Sequence, residues 1–220
     1  MTLFEATLLR HSVRSYNDTK IESDKIKVIN DFINKLNAES GLNIQFLVNE
    51  PKAFDCFLSR YGKFSGVKNY FAMVGKKSKS LQETIGYYGE RLVLFCQTLG
   101  LNTCWVGLSY KKVKNTYSIN KNEKLSVVIS VGYGKTQGVN RKSKTINQVA
   151  KINENTPKWF IDGVQCALNA PTAINQQKFY FELKGDKVLA KAGKGFYSKM
   201  DLGIAKLHFE LGSNCKIDWL

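Results

Sequence analysis

The order helix, loop, alternating strand, gap, helix, glycine occurs twice along this chain. A doubled order of parts narrows the available architectures more than any single motif does. In the first half Ser23 stands where an N-cap is expected, ahead of Ile26, Ile29, Ile33 and Leu36 at spacings of three and four, with Phe32 beside them. That stripe predicts a helix ending near Ala38, before Ser40 and Gly41. Ile44, Phe46 and Val48 alternate with polar residues as a half-buried strand, and Tyr70 to Val74 is a compact apolar run that predicts a buried one. Ile85, Tyr88, Leu92, Phe95 and Leu99 form a second helical stripe from Leu81, with Gly100 placed for a left-handed C-terminal residue. Thr103 to Val106 and Ser126 to Val131 read as strands, and Lys111 to Lys124 between them is polar and poorly patterned.

In the second half Thr156 and Pro157 read as an N-cap and a first helical residue, followed by Phe160, Ile161, Val164 and Leu168. Phe179, Phe181 and Leu183 alternate as a strand, and Met200, Ile204, Leu207 and Leu211 form a last stripe closed by Gly212. At a shift of 132 residues, Leu36 to Gln45 (LNAESGLNIQ) and Leu168 to Gln177 (LNAPTAINQQ) match at five of ten positions. Such a score arises by chance among many window pairs. The shared context, a helix end before a strand start, favours duplication. The closing helices align at a shift of 112 through Leu99-Gly100 and Leu211-Gly212. The polar stretch Gly132 to Lys151 is the best candidate connector, which gives halves of residues 1–135 and 136–220.

A chain of 220 residues suits one domain or two small fused halves. No apolar run approaches the roughly 20 residues that span a bilayer, so no membrane partner is expected. Arg10, His11 and Arg14 stand where a signal peptide needs its apolar stretch, and secretion by that route is not expected. The five cysteines, Cys56, Cys96, Cys104, Cys166 and Cys215, form no CxxC pair. Their odd count speaks against a disulfide framework or zinc ribbon and fits reduced thiols in a cytoplasmic protein.

Thirty-three Lys and Arg against 18 Asp and Glu give a net charge of +15. This excess draws anions: phosphorylated cofactors, nucleic acid or acidic surfaces. The lysines are spread through Lys76-Lys77-Ser78-Lys79, Lys111-Lys112-Val113-Lys114 and Arg141-Lys142-Ser143-Lys144. They are not gathered in one basic arm interleaved with aromatics, and this favours a solvated surface or small-anion attraction over nucleic acid.

Hydrolytic chemistry is poorly supplied: there is no GxSxG and no HExxH, and the two histidines, His11 and His208, lie far apart with no third metal ligand nominated. No metal site is expected. His208 reads as a packed or solvated histidine, and Cys104 as a small buried residue in a strand. Neither GxxxxGK[ST] nor GxGxxG is present. The stretch Arg10-His11-Ser12-Val13-Arg14-Ser15-Tyr16 is different. On an extended segment residues 10, 12 and 14 share a face, and two guanidiniums flanking a hydroxyl suit phosphate and carbonyl oxygens. From composition alone, a basic stretch preceding the first helix is an equal reading.

The stretch resembles the RxSxR opening of the FMN-dependent nitroreductase superfamily. Glu90 to Gly107 (ERLVLFCQTLGLNTCWVG) is similar to the family's central helix and GLxTCWxG segment. Gly132-Tyr133-Gly134, followed by Arg141 to Lys144, resembles its glycine turn and basic segment, and Ala170 to Gln177 resembles the PSxxNxQPW loop. Asp201-Leu202-Gly203-Ile204-Ala205 is similar to the DxGIA start of the central helix, now in the second half. In the ordinary family the PSxxNxQ loop follows soon after RxSxR. Here the copy near Ser40 and Asn43 lacks the proline, the better copy lies in the second half, and that half has no RxSxR. The chain therefore resembles a tandem-repeat branch, a single-chain mimic of the family's dimer.

The resemblance implies an α+β nitroreductase-like fold of two repeated helix and sheet halves forming a pseudo-dimer. It implies FMN as cofactor, with Arg10, His11, Ser12 and Arg14 at the phosphate, ribityl chain and pyrimidine edge, and Lys142 and Lys144 adding phosphate contacts from a strand-like segment. Trp105, Val106 and Gly107 would place backbone groups by the reactive nitrogen, and Pro171, Thr172, Ala173 and Asn175 would close the site from the other half. No catalytic side chain is required, because the flavin carries the redox chemistry. The implied activity is ping-pong two-electron reduction of nitroaromatic, quinone or similar acceptors with NAD(P)H, in a site complete within one chain. The alternatives are a non-catalytic flavin-binding module and a basic nucleic-acid-associated protein.

Overall fold

In the computed structural model, which describes residues 1–220, the elements run α1 (Leu3–Leu9), α2 (Ser23–Ser40), β1 (Asn43–Leu47), α3 (Phe57–Tyr61), β2 (Asn69–Lys76), α4 (Leu81–Thr98), β3 (Asn102–Val106), β4 (Glu123–Gly132), α5 (Ile146–Val149), β5 (Ala150–Lys151), α6 (Lys158–Ala167), β6 (Phe179–Lys184), β7 (Lys187–Ala192) and α7 (Ser198–Ser213). The mixture of helices with a mainly antiparallel set of strands is the expected α+β class. The chain divides into two compact units: residues 9–81 with 92–140, and residues 1–8 with 82–91 and 141–220.

The first unit is built on a four-stranded antiparallel sheet in the order β1-β2-β4-β3. β2 is central and buried at every residue but the last, which explains why its sequence is a continuous apolar run and not an alternation. Tyr70, Phe71 and Met73 are almost wholly inaccessible, and burying each large side chain contributes about 1.5–3 kcal/mol. In α2 the residues Ile29, Ile33 and Leu36 are buried, and Phe32 stacks on Phe95 of α4 at 4.2 Å. The N-cap of α2 is Glu22, so Ser23 is its first helical residue. Gly41, at φ 68, ends the helix by donating its N–H to Asn37 O.

The second unit contains β5-β6-β7, with β5 parallel and β7 antiparallel to β6. Its core is aromatic: Phe160, Phe181 and Phe209 are fully buried, with ring centroids 5.4 Å apart for Phe160 and Phe209 and 4.9 Å for Phe181 and Phe209. Trp219 closes the cluster 5.5 Å from Phe209. The first part of α4 crosses α7 at two glycines. A Cβ at Gly86 would overlap Met200 O and crowd Ile204 N, and a Cβ at Gly203 would overlap Glu83 O and crowd Tyr87 N. The contacts are reciprocal at a shift of 117: each glycine lies on the backbone carbonyl three residues before the other.

Several elements depart from the sequence reading. Gly132 to Lys151 carries α5 and β5, because Thr145 and Gln148 make a capping box that starts a helical turn in a polar segment. Pro157 is itself the N-cap of α6, one residue later than expected. Gly212 does not close α7, which runs on to Ser213 and ends at Asn214 with φ 51. Gly212 instead allows close approach to α6, since a Cβ there would meet Cys166 and Asp162 O. Gly100, at φ +76, is a true left-handed residue, so the two glycines used to align the closing helices have different roles.

Candidate cofactor site

β3 is an edge strand of its sheet, and the segment that follows α1 meets its free edge at Thr103. Ser12 forms a parallel bridge to Thr103, and Val13 donates its N–H to Thr103 O at 3.1 Å. Further stitches fix the segment. Ser65 N–H donates to Arg14 O at 3.0 Å, Tyr16 N–H to Ser65 O at 3.0 Å, and Asn17 N–H to Tyr133 O at 2.9 Å. Val13 and Tyr16 point inward and are buried, and the Tyr16 hydroxyl lies 2.7 Å from Val13 O and 2.8 Å from Ser130 Oγ. Burial pushes the Tyr16 phenol well above its ordinary pKa, so it remains a neutral donor at any physiological pH.

This pinning leaves alternate residues to the other face. Arg10 is buried and its Nη2 donates to Ser12 Oγ at 3.3 Å. Arg14 is exposed, with its guanidinium 5.9 Å from the Phe64 ring centroid. Burial raises the Cys104 thiol pKa, and the smaller opposing effects of Arg14, Arg10 and a Ser12 hydrogen bond place both cations near the middle of β3. Cys104 is 1% exposed and behaves as the small core residue its strand setting suggested. His11 is half-buried against Gly138, where a Cβ would overlap its own. Trp105 and Gly107 are half-buried and Val106 is buried at the end of β3. The donor set of two guanidiniums and a hydroxyl, with no acid from residue 9 to residue 17, fits an anionic, acceptor-rich group such as the phosphate and pyrimidine edge of FMN.

In the other unit the residues after α6 form a tightly tied turn. Ile174, Asn175 and Gln177 all have left-handed backbone, at φ 48, 56 and 46. For the β-branched Ile174 this is strained, yet its side chain is 94% exposed. Arg141 secures the turn: its guanidinium donates to Asn175 Oδ1 and, at 2.8 Å each, to Leu168 O and Ala170 O. Gln177 is buried, and its Oε1 accepts from Lys144 N–H while its Nε2 donates to Lys142 O. Gln177 N–H donates to Thr172 Oγ1 at 3.0 Å. Pro171 is buried, and Thr172, Ala173 and Asn175 are half-buried.

The expected lysines fall at the same turn with different settings. The stretch 141–144 is irregular and not strand-like. Lys144 Nζ donates to Gln177 O at 2.7 Å, and the Lys142 side chain is exposed. Arg141, Gln177 and Asp201 are hydrogen-bond anchors of this turn that sequence reasoning did not assign. Arg141 was visible only as part of a basic run, and spacing does not say which cation of a run folds inward. Asp201 is 3% exposed and accepts from Ala173 N–H at 3.0 Å and Gln176 Nε2 at 2.7 Å. His208, fully buried, has its Nε2 at 3.0 Å from Glu90 Oε1.

Comparison with known proteins bears on this geometry. The family described as "Putative TM nitroreductase" matches residues 2–213. The chain belongs to that nitroreductase family. Membership supports an oxidoreductase role. A crystal structure of a "putative nitroreductase" from Thermotoga maritima MSB8 is similar with a TM-score of 0.69 and 24% identity, over 96% of this chain and 83% of that one. A "putative nitroreductase in complex with FMN" from Desulfovibrio desulfuricans has a TM-score of 0.55 and 14% identity over 71% of this chain and 99% of its own. A nitroreductase family protein from Streptococcus pneumoniae TIGR4 has a TM-score of 0.56 and 13% identity, over 69% and 100% of the two chains. At these identities the likeness establishes the fold. No curated protein matches the chain. No helix of this chain is long and apolar enough to cross a membrane.

Proposed function

We propose that this member of the family is an FMN-dependent NAD(P)H oxidoreductase that reduces nitroaromatic, quinone or similar acceptors in two-electron ping-pong steps. The observation that carries the reading is the pinning of Ser12 to Thr103, which holds Arg10 and Arg14 beside β3 as a preformed acceptor-binding edge. Arg10, His11, Ser12 and Arg14 bind the phosphate and polar edge, and backbone groups of Trp105, Val106 and Gly107 orient the ring. Thr172, Ala173 and Asn175, following Pro171, close over it, with Lys142 and Lys144 adding positive charge. FMN supplies the hydride chemistry when bound, and the protein supplies position and charge. A cytoplasmic setting, with no nucleic-acid partner, goes with this reading.

The reading includes a duplicated chain, with halves of residues 1–135 and 136–220, whose flavin-binding residues come from both halves of one molecule. The reciprocal crossing of Gly86 and Gly203 supports it, because a contact in which i meets j and j meets i is the mark of a two-fold relation. The two LNA windows also have different outcomes. At the shift of 132, Asn43 opens β1, whereas Asn175 stands four residues before β6, so only the second copy makes a projecting turn.

The test is the visible spectrum of the purified protein with added FMN and NADH. A flavin band that bleaches on NADH and returns with a quinone supports the enzyme. A protein that rejects FMN, or binds it without turnover, overturns the reading.

A further inference from the structure

The Thr172–Gln177 turn stores strain at three left-handed residues, and an exposed isoleucine in that conformation gains nothing from packing. Something must hold it. Arg141 and Gln177 hold its outer side, and Asp201, in the first turn of α7, is the anchor from beneath. One carboxylate oxygen takes Ala173 N–H and the other takes Gln176 Nε2, which also donates to Phe196 O at 2.7 Å. Asp201 therefore ties the turn both to α7 and to the segment that leads into it.

We propose that Asp201 is a positioning residue: it closes the Thr172–Gln177 turn and makes that closure depend on pH. The proposal deepens the flavin reading, since the turn carries Thr172, Ala173 and Asn175. Burial raises the Asp201 carboxyl to about 6, against the smaller opposing effects of Ala173 N–H and Gln176. The charged and titratable groups of the surrounding elements are Arg141 at the turn, Lys178, Lys194, Tyr197 and Lys199 around the start of α7, and Glu83 with its partner Lys206 at the α4–α7 crossing. None contributes to the Asp201 shift.

The sign follows from linkage. The closed turn buries Asp201 and raises its pKa, whereas an open turn exposes it to water and returns it toward the ordinary aspartate value. The closed form thus binds the proton more tightly, so acidification favours closure, and closure weakens as pH rises through about 6. At neutral pH the turn carries a buried charge and is poised to open.

Hydrogen exchange of the amides of Ala173, Asn175, Gln176 and Gln177 in flavin-free protein tests this. All four are bonded in the closed turn. Their protection factors, corrected for the intrinsic pH dependence of exchange, are expected to fall about tenfold between pH 5 and pH 7.5. In Asp201→Asn, which keeps an acceptor for Ala173 and cannot ionise, protection is expected to be flat with pH. A flat wild-type profile, or an unchanged slope in the variant, overturns the proposal. An FMN titration run in parallel tests the flavin reading by itself, and the exchange result decides the role of Asp201 whatever that titration gives.

Discussion

His208 Nε2 lies 3.0 Å from Glu90 Oε1, and both side chains are completely buried. The pair joins α7 to α4 at a fully buried point of a contact that also carries Lys206 on Glu83 and Tyr87 on Glu210, and the value of the bond lies mainly in what its loss would leave behind. His208→Ala removes one partner and strands the carboxyl of Glu90 on that side. The expected loss is about 1–3 kcal/mol in urea unfolding, while Lys199→Ala at the exposed start of α7 changes little.

Gly86 and Gly203 allow the same two helices to touch backbone to backbone. Alanine at either position places a methyl against a carbonyl that cannot rotate away, and the helices must separate. Thermal melts are expected to show about 1–3 kcal/mol of destabilisation for Gly86→Ala and for Gly203→Ala. Gly185→Ala meets no neighbour and carries only the strain of its positive φ, so it is expected to cost about 1 kcal/mol.

Arg14 presents an exposed guanidinium beside the buried Arg10. Under the proposed function, Arg14→Ala is expected to weaken FMN binding by about tenfold or more, the loss of a charge-assisted hydrogen bond of roughly 1.5–3 kcal/mol. Arg60→Ala removes an equal charge from an exposed pair with Asp55 and is expected to leave the FMN titration unchanged. Equal effects would show that overall charge, and not this edge, governs binding.

Stoichiometry tests the duplicated chain. The arginine cluster occurs only in the first half and the proline-bearing turn only in the second, so one FMN per chain is expected. Titration combined with light scattering should show one flavin bound per 24.9 kDa chain, with affinity unaffected by dilution to monomer. Two flavins per chain, or binding lost on dilution, would remove the single-chain reading.

Periodicity was sufficient for the long elements. The stripes of α2 and α4 and the apolar run of β2 are legible because each is governed by one burial pattern over many residues. The short helices α1 and α3 and the strand β7 escaped because five to seven residues hold too few turns or alternations to set a period. Gly212 misled for another reason: a glycine before a loop signals a left-handed cap, and only the neighbouring Cys166 shows that it serves close approach. Near β3 the proximity of Arg10 and Ser12, now joined by a hydrogen bond, was legible from the alternation of an extended segment. The roles of Arg141, Gln177 and Asp201 depend on which side chains turn inward to satisfy backbone groups of a strained turn. Local sequence does not encode that choice.

The stitching of Ser12 and Val13 to Thr103 also has a bearing on solubility. Without that segment the outer peptide groups at Thr103 would stand open on an edge strand, a place able to recruit the same edge of another molecule. The residues proposed to grip the cofactor thus guard the sheet from self-recruitment. Val13→Pro, which deletes the N–H bonded to Thr103 O, is expected to raise light scattering during storage and refolding, and added FMN is expected to suppress it by drawing the segment back onto the edge.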